Sequence, residues 1–239
     1  MTKRVIIIGA TSGIGRNIAE RYTKQGDIVG IAGRRDNLLQ EIKLLNPENV
    51  FTKELDVSKP QSKEELESLI QEMGGMDIFI FCSGFGQVNK ELDLDIELST
   101  IAVNSFGFTL LTNVAYKYFE KKGFGHIVNI SSVAATRDIA ISASYCSTKR
   151  YQLMYYNCLR KLAKQNKFKL VVTNIQPGFI DTDFIKSQKY RLTTSLERAG
   201  KLIFRAIENK KDRAFIPSYW RLIAFIWLSI PNFIWKRTI

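Results

Sequence analysis

The chain has 239 residues, 45% of them hydrophobic, which suits one large α/β domain with a sizeable core and is too apolar for global disorder. Cys82, Cys146 and Cys158 show neither paired nor metal-type spacing, and no secretory leader follows Met1, so a reducing, cytoplasmic setting without a metal is expected. The net charge is +12, and residues 186–239 alone carry twelve Lys/Arg against three Asp/Glu. No nucleic-acid motif accompanies this basic region and its aromatics lie in apolar runs, which argues against a nucleic-acid partner and leaves an anionic membrane surface, a phosphorylated ligand or plain solubility.

Residues 3–8 form an apolar β-branched run, followed by GATSGIG and an amphipathic stretch to residue 25 that Gly26 closes. That order is strand, glycine-rich turn, helix, stop. Gly9, Gly13 and Gly15 would let the backbone turn tightly against a pyrophosphate facing the helix's free N–H groups; an ordinary strand-to-helix turn fits the same glycines. A second strand, 28–32, ends in GRRDN. In a dinucleotide fold an acid at this strand end would bind the ribose 2′-OH, but Gly33 stands there with Arg34 and Arg35 behind it. Arginine accommodates a 2′-phosphate, so NADPH is favoured over NADH; two solvated arginines at a helix start are the alternative.

The alternation continues with strands at 50–55 and 76–82 and a helix at 60–73 between them. LDVS (Asp56, Val57) and CSGFG (Ser83, Gly84) stand at strand carboxyl ends, where open α/β sheets bind ligands. A long helical region, 95–122, contains Asn104. A fifth strand, HIVNIS, delivers Ser132; a helix follows to about residue 166, then a sixth strand, 169–175, and QPGFIDTDF, with a turn at Pro177-Gly178 and Asp181/Thr182 placed to cap a short helix. Repeated β–α order implies one parallel, doubly wound sheet with helices on both faces.

Tyr145 and Lys149 are four apart, on one helix face, with Ser132 thirteen residues upstream. A phenol beside an ammonium is a plausible general acid, since the cation favours the phenolate, and a serine at a strand end can hold the oxygen that the phenol protonates. Tyr-x-x-x-Lys alone also fits an ordinary surface pair.

Taken together, GATSGIG, LDVS, Asn104, Ser132, YCSTK (145–149) and PGFIDT (177–182) resemble the short-chain dehydrogenase/reductase family over residues 3–215. The resemblance implies a single-domain Rossmann fold over residues 1–216 that binds NAD(P)H and passes hydride between nicotinamide and a carbonyl carbon. It implies Tyr145 as catalytic acid/base, Ser132 holding the substrate oxygen and Lys149 on the nicotinamide ribose, with Asn104 supporting a water that relays protons to Lys149. Gly9, Ser12, Gly13, Ile14 and Gly15 would line the pyrophosphate, Asp56 and Val57 the adenine, and Pro177, Gly178 and Thr182 the nicotinamide end. Dimers and tetramers are common in the family. The chain departs from its pattern at Phe81-Cys82-Ser83-Gly84, where Asn-Asn-Ala-Gly is usual, and at Ile8, where threonine is usual.

Ser131 competes with Ser132, which is preferred for its spacing to Tyr145. Tyr151, Tyr155 and Tyr156 read as packing or dimer residues, His126 as structural and Cys146 as a small core residue. The extension 217–239 is aromatic and apolar, but its uninterrupted run, 222–230, is too short to span a bilayer. It suits an interfacial segment, a pocket lid or a dimer contact, and a lid that touches membrane would suit a lipid-like substrate. The reading is an NADPH-preferring oxidoreductase of an apolar carbonyl/alcohol pair, cytoplasmic and either soluble or peripheral at the membrane; a dinucleotide-binding scaffold or redox sensor without turnover is the alternative.

Overall fold

The structure is a computed structural model that describes residues 2–185 and 192–237. In chain order it contains β1 (Arg4–Ile8), α1 (Gly13–Gln25), β2 (Ile28–Gly33), α2 (Asp36–Lys43), β3 (Val50–Glu54), α3 (Ser62–Glu72), β4 (Ile78–Phe81) and α4 (Leu94–Ile101). A π-helical turn, Ala102–Gly107, joins α4 to α5 (Phe108–Lys122); then come β5 (Phe124–Ile130), α6 (Ala143–Gln165), β6 (Lys169–Pro177), α7 (Leu196–Glu208), β7 (Arg213–Ile216), α8 (Trp220–Ser229) and α9 (Asn232–Trp235).

The sheet runs β3-β2-β1-β4-β5-β6-β7, every pair parallel. At its centre, residues 5–8 of β1 and all of β4 are apolar without a break because helices cover both faces. Along β1 the side chains alternate: Val5 and Ile7 join Ile18, Tyr22, Leu39, Ile203 and Ile207 on one face, whereas Ile6 and Ile8 join Leu66, Leu69, Phe108, Phe119 and Tyr156 on the other. Ile8, where the resemblance leads one to expect threonine, is fully buried in this second layer.

One expectation needs correcting. The sixth strand does not end before Pro177 but runs through it, because β7 pairs alongside and Pro177 lies opposite Ile216. A short helical turn begins at Asp183, directly after Thr182, whose hydroxyl donates to the Ile180 carbonyl at 3.3 Å. The helical run 94–122 is long and apolar enough to cross a membrane by length and composition, yet Phe108, Leu111, Ala115, Tyr116 and Phe119 are buried against the sheet, as in a core helix. The ten-residue α8 falls short of the roughly twenty residues a span needs.

Candidate active site

The strand order reverses between β1 and β4, and the turns that follow these strands open the crevice where such sheets take ligands. The two turns touch. Gly9 has φ +88°, and a Cβ there would lie 2.7 Å from the Ser83 amide nitrogen, so only glycine serves. Ser12 precedes α1 in extended conformation without a side-chain cap bond, and no acid occupies the helix's first turn. The free N–H groups and positive end of α1 are thus left for an anion. Thr182 arrives from beyond β6 to lie over Gly13, within 3.5 Å of where a Cβ would be, and Ile14 packs onto the core below.

Beyond this turn, the end of β2 supplies two arginines. Arg35 donates to the Thr11 and Ser12 hydroxyls at 2.7 and 2.9 Å, which ties the second strand's end to the glycine-rich turn. A side chain at position 33 would meet Thr11 Cγ2 at 2.7 Å, so the contact itself leaves no space for an acid there. Arg34 is exposed, and its charge reaches Asp56. Burial raises the Asp56 pKa, but hydrogen bonds from Ser58 and the positive charge of Arg34 and Lys59 outweigh it and hold the carboxyl below its ordinary range. Asp56 Oδ1 accepts from the Ser58 amide at 3.0 Å and hydroxyl at 2.7 Å; Val57, next along, is buried. An open helix end at one side and cations at the other suit the phosphates of a dinucleotide.

The candidate catalytic residues gather where α6 begins. Tyr145 lies in its first turn, half-buried, its ring 5.8 Å from that of Phe184. Lys149 follows one turn later and is buried, its Nζ 5.7 Å from the Tyr145 ring centroid. The ammonium donates to the Ile130 carbonyl and to Gln152 Oε1, each at 3.3 Å. Burial pushes Lys149 down to about 8, while the neighbouring Cys82 thiol is pushed up to about 12 and stays neutral. Ser131 and Ser132 have different tasks: Ser131 donates to the Lys149 carbonyl at 3.4 Å from a buried position, whereas half-buried Ser132 accepts the Ala134 amide at 3.1 Å and caps a short turn.

Asn104 is buried in the π-helical turn, a local widening of the kind often found at functional sites. Its side chain accepts from the Phe85 amide at 2.9 Å and donates to the Phe85 carbonyl at 2.7 Å, bracing the segment after β4 that lacks the family's usual asparagines. The gap between Asn104 and Lys149 is spanned by Gln152, whose Nε2 donates to the Asn104 carbonyl at 2.8 Å. Gln152 was not singled out from the sequence, although its i,i+3 spacing from Lys149 was there to be read.

The carboxyl-terminal extension, of which residues 238 and 239 lie outside the described residues, packs beside the end of β6. Trp220 is buried with its indole against Gly178, next to Pro177. Trp220, Trp227 and Trp235 follow one another at 6.0 Å between ring centroids. Arg137, from the loop between Ser132 and Tyr145, donates to the Trp227 and Ile230 carbonyls and to Asn232 Oδ1, and lies 4.5 Å over the Trp235 ring. The extension is thus fastened to the loop that carries the serine and tyrosine. Nothing in the sequence reading pointed to Arg137.

The remaining residues fall where their chemistry would put them. His126 lies within β5 with Nε2 2.8 Å from Thr173 Oγ1, and burial pushes it down to about 4. Tyr156 is a core residue stacked on Phe108; Tyr151 and Tyr155 surround the same ring nearer the surface, and Cys146 is buried. Among the described residues no group of acids, cysteines and histidine could hold a metal.

The sequence pattern of the short chain dehydrogenase family matches residues 3–192. An uncharacterized oxidoreductase of Staphylococcus haemolyticus is 36% identical over 182 residues, covering 74% of this chain and 78% of the relative. The closed form of a serine dehydrogenase complexed with NADP+ is 26% identical, with a TM-score of 0.77 over 85% of this chain and 88% of that one. A 3-ketoacyl-(acyl-carrier-protein) reductase from Brucella melitensis complexed with NADH, 20% identical, has the same fold with a TM-score of 0.80 over 89% of this chain and 95% of the other.

Proposed function

The chain belongs to the short-chain dehydrogenase/reductase family and is an oxidoreductase of that family, and from that premise we propose that it interconverts an apolar ketone and its secondary alcohol with a preference for NADPH. The observation that carries the reading is the buried Lys149 ammonium beneath Tyr145 at the start of α6. A cation and a helix N-terminus both favour a phenolate, which suits the tyrosine to pass a proton to and from a substrate oxygen. In reduction, Tyr145 Oη protonates the carbonyl oxygen as a C–O–H bond forms. Ser132 already accepts the Ala134 amide, so its own hydroxyl proton is available to hold that oxygen in place. Bound nicotinamide supplies the hydride that the carbonyl carbon receives.

The 2′-phosphate preference rests on Arg34 and Arg35 at the end of β2 and on the Thr11 contact that bars an acid at position 33. Gly9, Ser12, Gly13, Ile14, Gly15, Asp56, Val57, Ser83, Gly84, Pro177, Gly178 and Thr182 would hold the rest of the dinucleotide. The preference for an apolar substrate rests on Phe184 beside Tyr145 and on the tryptophan-lined extension. Residues 1–216 form the catalytic domain and 217–239 an accessory segment. Exposed Leu222, Phe225, Leu228 and Phe233, flanked by Arg221, Lys236 and Arg237, suit contact with an anionic membrane surface from the cytoplasmic side. Exposed Leu98, Ile101 and Phe106 beside Tyr151 and Met154 suit a second copy of the chain, as a dimer or tetramer.

The test is a fluorescence titration with NADPH and NADH, followed by turnover of 2-undecanone in mixed micelles against acetoin. Tighter NADPH binding and preferential 2-undecanone reduction support the proposal. Preference for NADH would remove the arginines from the site, and binding without turnover of any carbonyl would leave a scaffold.

A further inference from the structure

Gln152 is fully buried on α6, in a stretch whose other inward residues, Leu153, Tyr156 and Leu159, are apolar or aromatic. An apolar residue there would escape the cost of desolvating an amide. The amide is instead bonded at both its oxygen and its nitrogen. Its oxygen accepts from Lys149 Nζ at 3.3 Å and from Asn129 Nδ2 at 3.4 Å, while its nitrogen donates to the Asn104 carbonyl at 2.8 Å. Only this orientation of the amide gives two donors an acceptor and the carbonyl a donor.

We propose that Gln152 is the positioning residue of the reacting site: its amide oxygen holds the Lys149 ammonium and its nitrogen anchors that hold on the π-helical turn at Asn104. The inference rests on the assignment of Tyr145 and Lys149 to the reacting site. A lysine ammonium is a point charge on a flexible four-carbon stem and needs fixed acceptors to stay in one place. Ile130 from the end of β5 and Gln152 from α6 supply two, which leaves the third N–H for a ligand in the crevice by Gly84. The other titratable groups facing the ammonium are the Tyr145 phenol and the neutral Cys82 thiol, so no carboxylate competes for it among the described residues. An amide does not pass a proton along without tautomerising, so Gln152 orients Lys149 and does not conduct.

The test follows the Lys149 side chain by NMR in the ligand-free, full-length protein carrying 13Cε-labelled lysine, with Lys149→Arg to assign the signal. The wild-type resonance is expected to titrate below the ordinary lysine range, near 8. Gln152→Met fills the same space with apolar atoms and withdraws the acceptor, so the midpoint falls by about one unit or more. Gln152→Ala leaves room for a water that bonds both Lys149 and the Asn104 carbonyl, and the midpoint stays within roughly half a unit of wild type. A residue that merely packs gives the reverse order, with Met like wild type and Ala the more disturbed. An unmoved midpoint in Gln152→Met, or a larger shift in Ala than in Met, overturns the proposal. Should the Met variant not fold, Gln152→Glu sets a carboxylate against the ammonium and must raise the midpoint; no rise is equally fatal. The readout needs neither cofactor nor substrate. Failure of NADPH to bind would therefore count against the reaction, and an unmoved midpoint against Gln152.

Discussion

Arg137 donates to the Ile230 carbonyl at 2.7 Å, so a side chain from the loop between Ser132 and Tyr145 closes the end of α8, 93 residues away in sequence. The last carbonyls of a helix need partners, and a guanidinium supplies them with favourable charge. The same group lies over Trp235, so one side chain pins two elements of the extension. Arg137→Ala should lower stability by about 1–2 kcal/mol and expose the extension to exchange. Hydrogen–deuterium exchange read by peptide would show faster uptake in residues 220–235 with β1–β5 unchanged. Uniform uptake across the chain would mean that the clamp is not local.

Gly178 is placed by a neighbour rather than by its own backbone. A Cβ at 178 would fall 1.8 Å from Trp220 Nε1, inside any tolerable contact. Gly178→Ala should cost about 1–3 kcal/mol as the indole is pushed from its seat. Trp220 meets no acceptor for its buried N–H among the described residues, so exchanging the ring for a smaller one sacrifices no hydrogen bond. Trp220→Phe in the Gly178→Ala background should therefore recover part of the loss. Thermal midpoints of the two single variants and the double variant decide it, since simple additivity would show that the residues do not clash.

Much of this architecture was legible because each layer leaves a period in the sequence. Val5 to Ile8 and the glycines after them could be little else than a buried strand and a tight turn, and helix geometry sets Tyr145 and Lys149 on one face, while their role came from the resemblance of the surrounding motifs to the family. What was not legible arises from tertiary contacts. β7 is a four-residue strand, RAFI, behind a basic turn, and forms because β6 offers it an edge; its pairing also carries β6 through Pro177. The requirement for glycine at 33 comes from Thr11, 22 positions earlier in the chain. Gln152 looks like any polar residue on a helix until the π-helical turn brings the Asn104 carbonyl to it.

At the adenosine end, Arg34 and Arg35 should behave differently. Arg35 is committed to Thr11 and Ser12, whereas Arg34 is exposed beside Asp56. Arg34→Ala should weaken NADPH by roughly ten- to hundredfold and leave NADH within about twofold, as expected for loss of a charge-assisted phosphate contact. Equal losses for both nucleotides in a fluorescence titration would refute a 2′-phosphate role.

Lys149 links the site to stability through pH. Its folded pKa is depressed to about 8 from an ordinary 10.5, so between these values the unfolded chain binds the extra proton and the folded chain does not. Stability from this group therefore rises with pH across that window, by about 3 kcal/mol in all, and is flat below it. Lys149→Met should abolish that rise, and it should abolish turnover as well. Urea midpoints of wild type and variant at pH 8 and pH 10.5 give the comparison, in which titration of other groups cancels. Parallel curves would mean that the ammonium is solvated.

The extension's outer face makes the last demand. Leu222 is 63% exposed, Phe225 67% and Leu228 58%, at i, i+3 and i+6 on a helix whose inner side is held by Trp220 and Ala224. Apolar groups so exposed contribute little to folding, so Leu222→Asp with Phe225→Asp should shift stability by no more than about 0.5 kcal/mol per site. The same change puts two carboxylates where acyl chains would lie and sets them against anionic headgroups. Wild type should sediment with phosphatidylglycerol vesicles and stay in solution with phosphatidylcholine alone, whereas the double variant should stay in solution with both. If wild type ignores both vesicles, the face has some other use, and a shift in sedimentation velocity between wild type and the variant would identify that use as self-association.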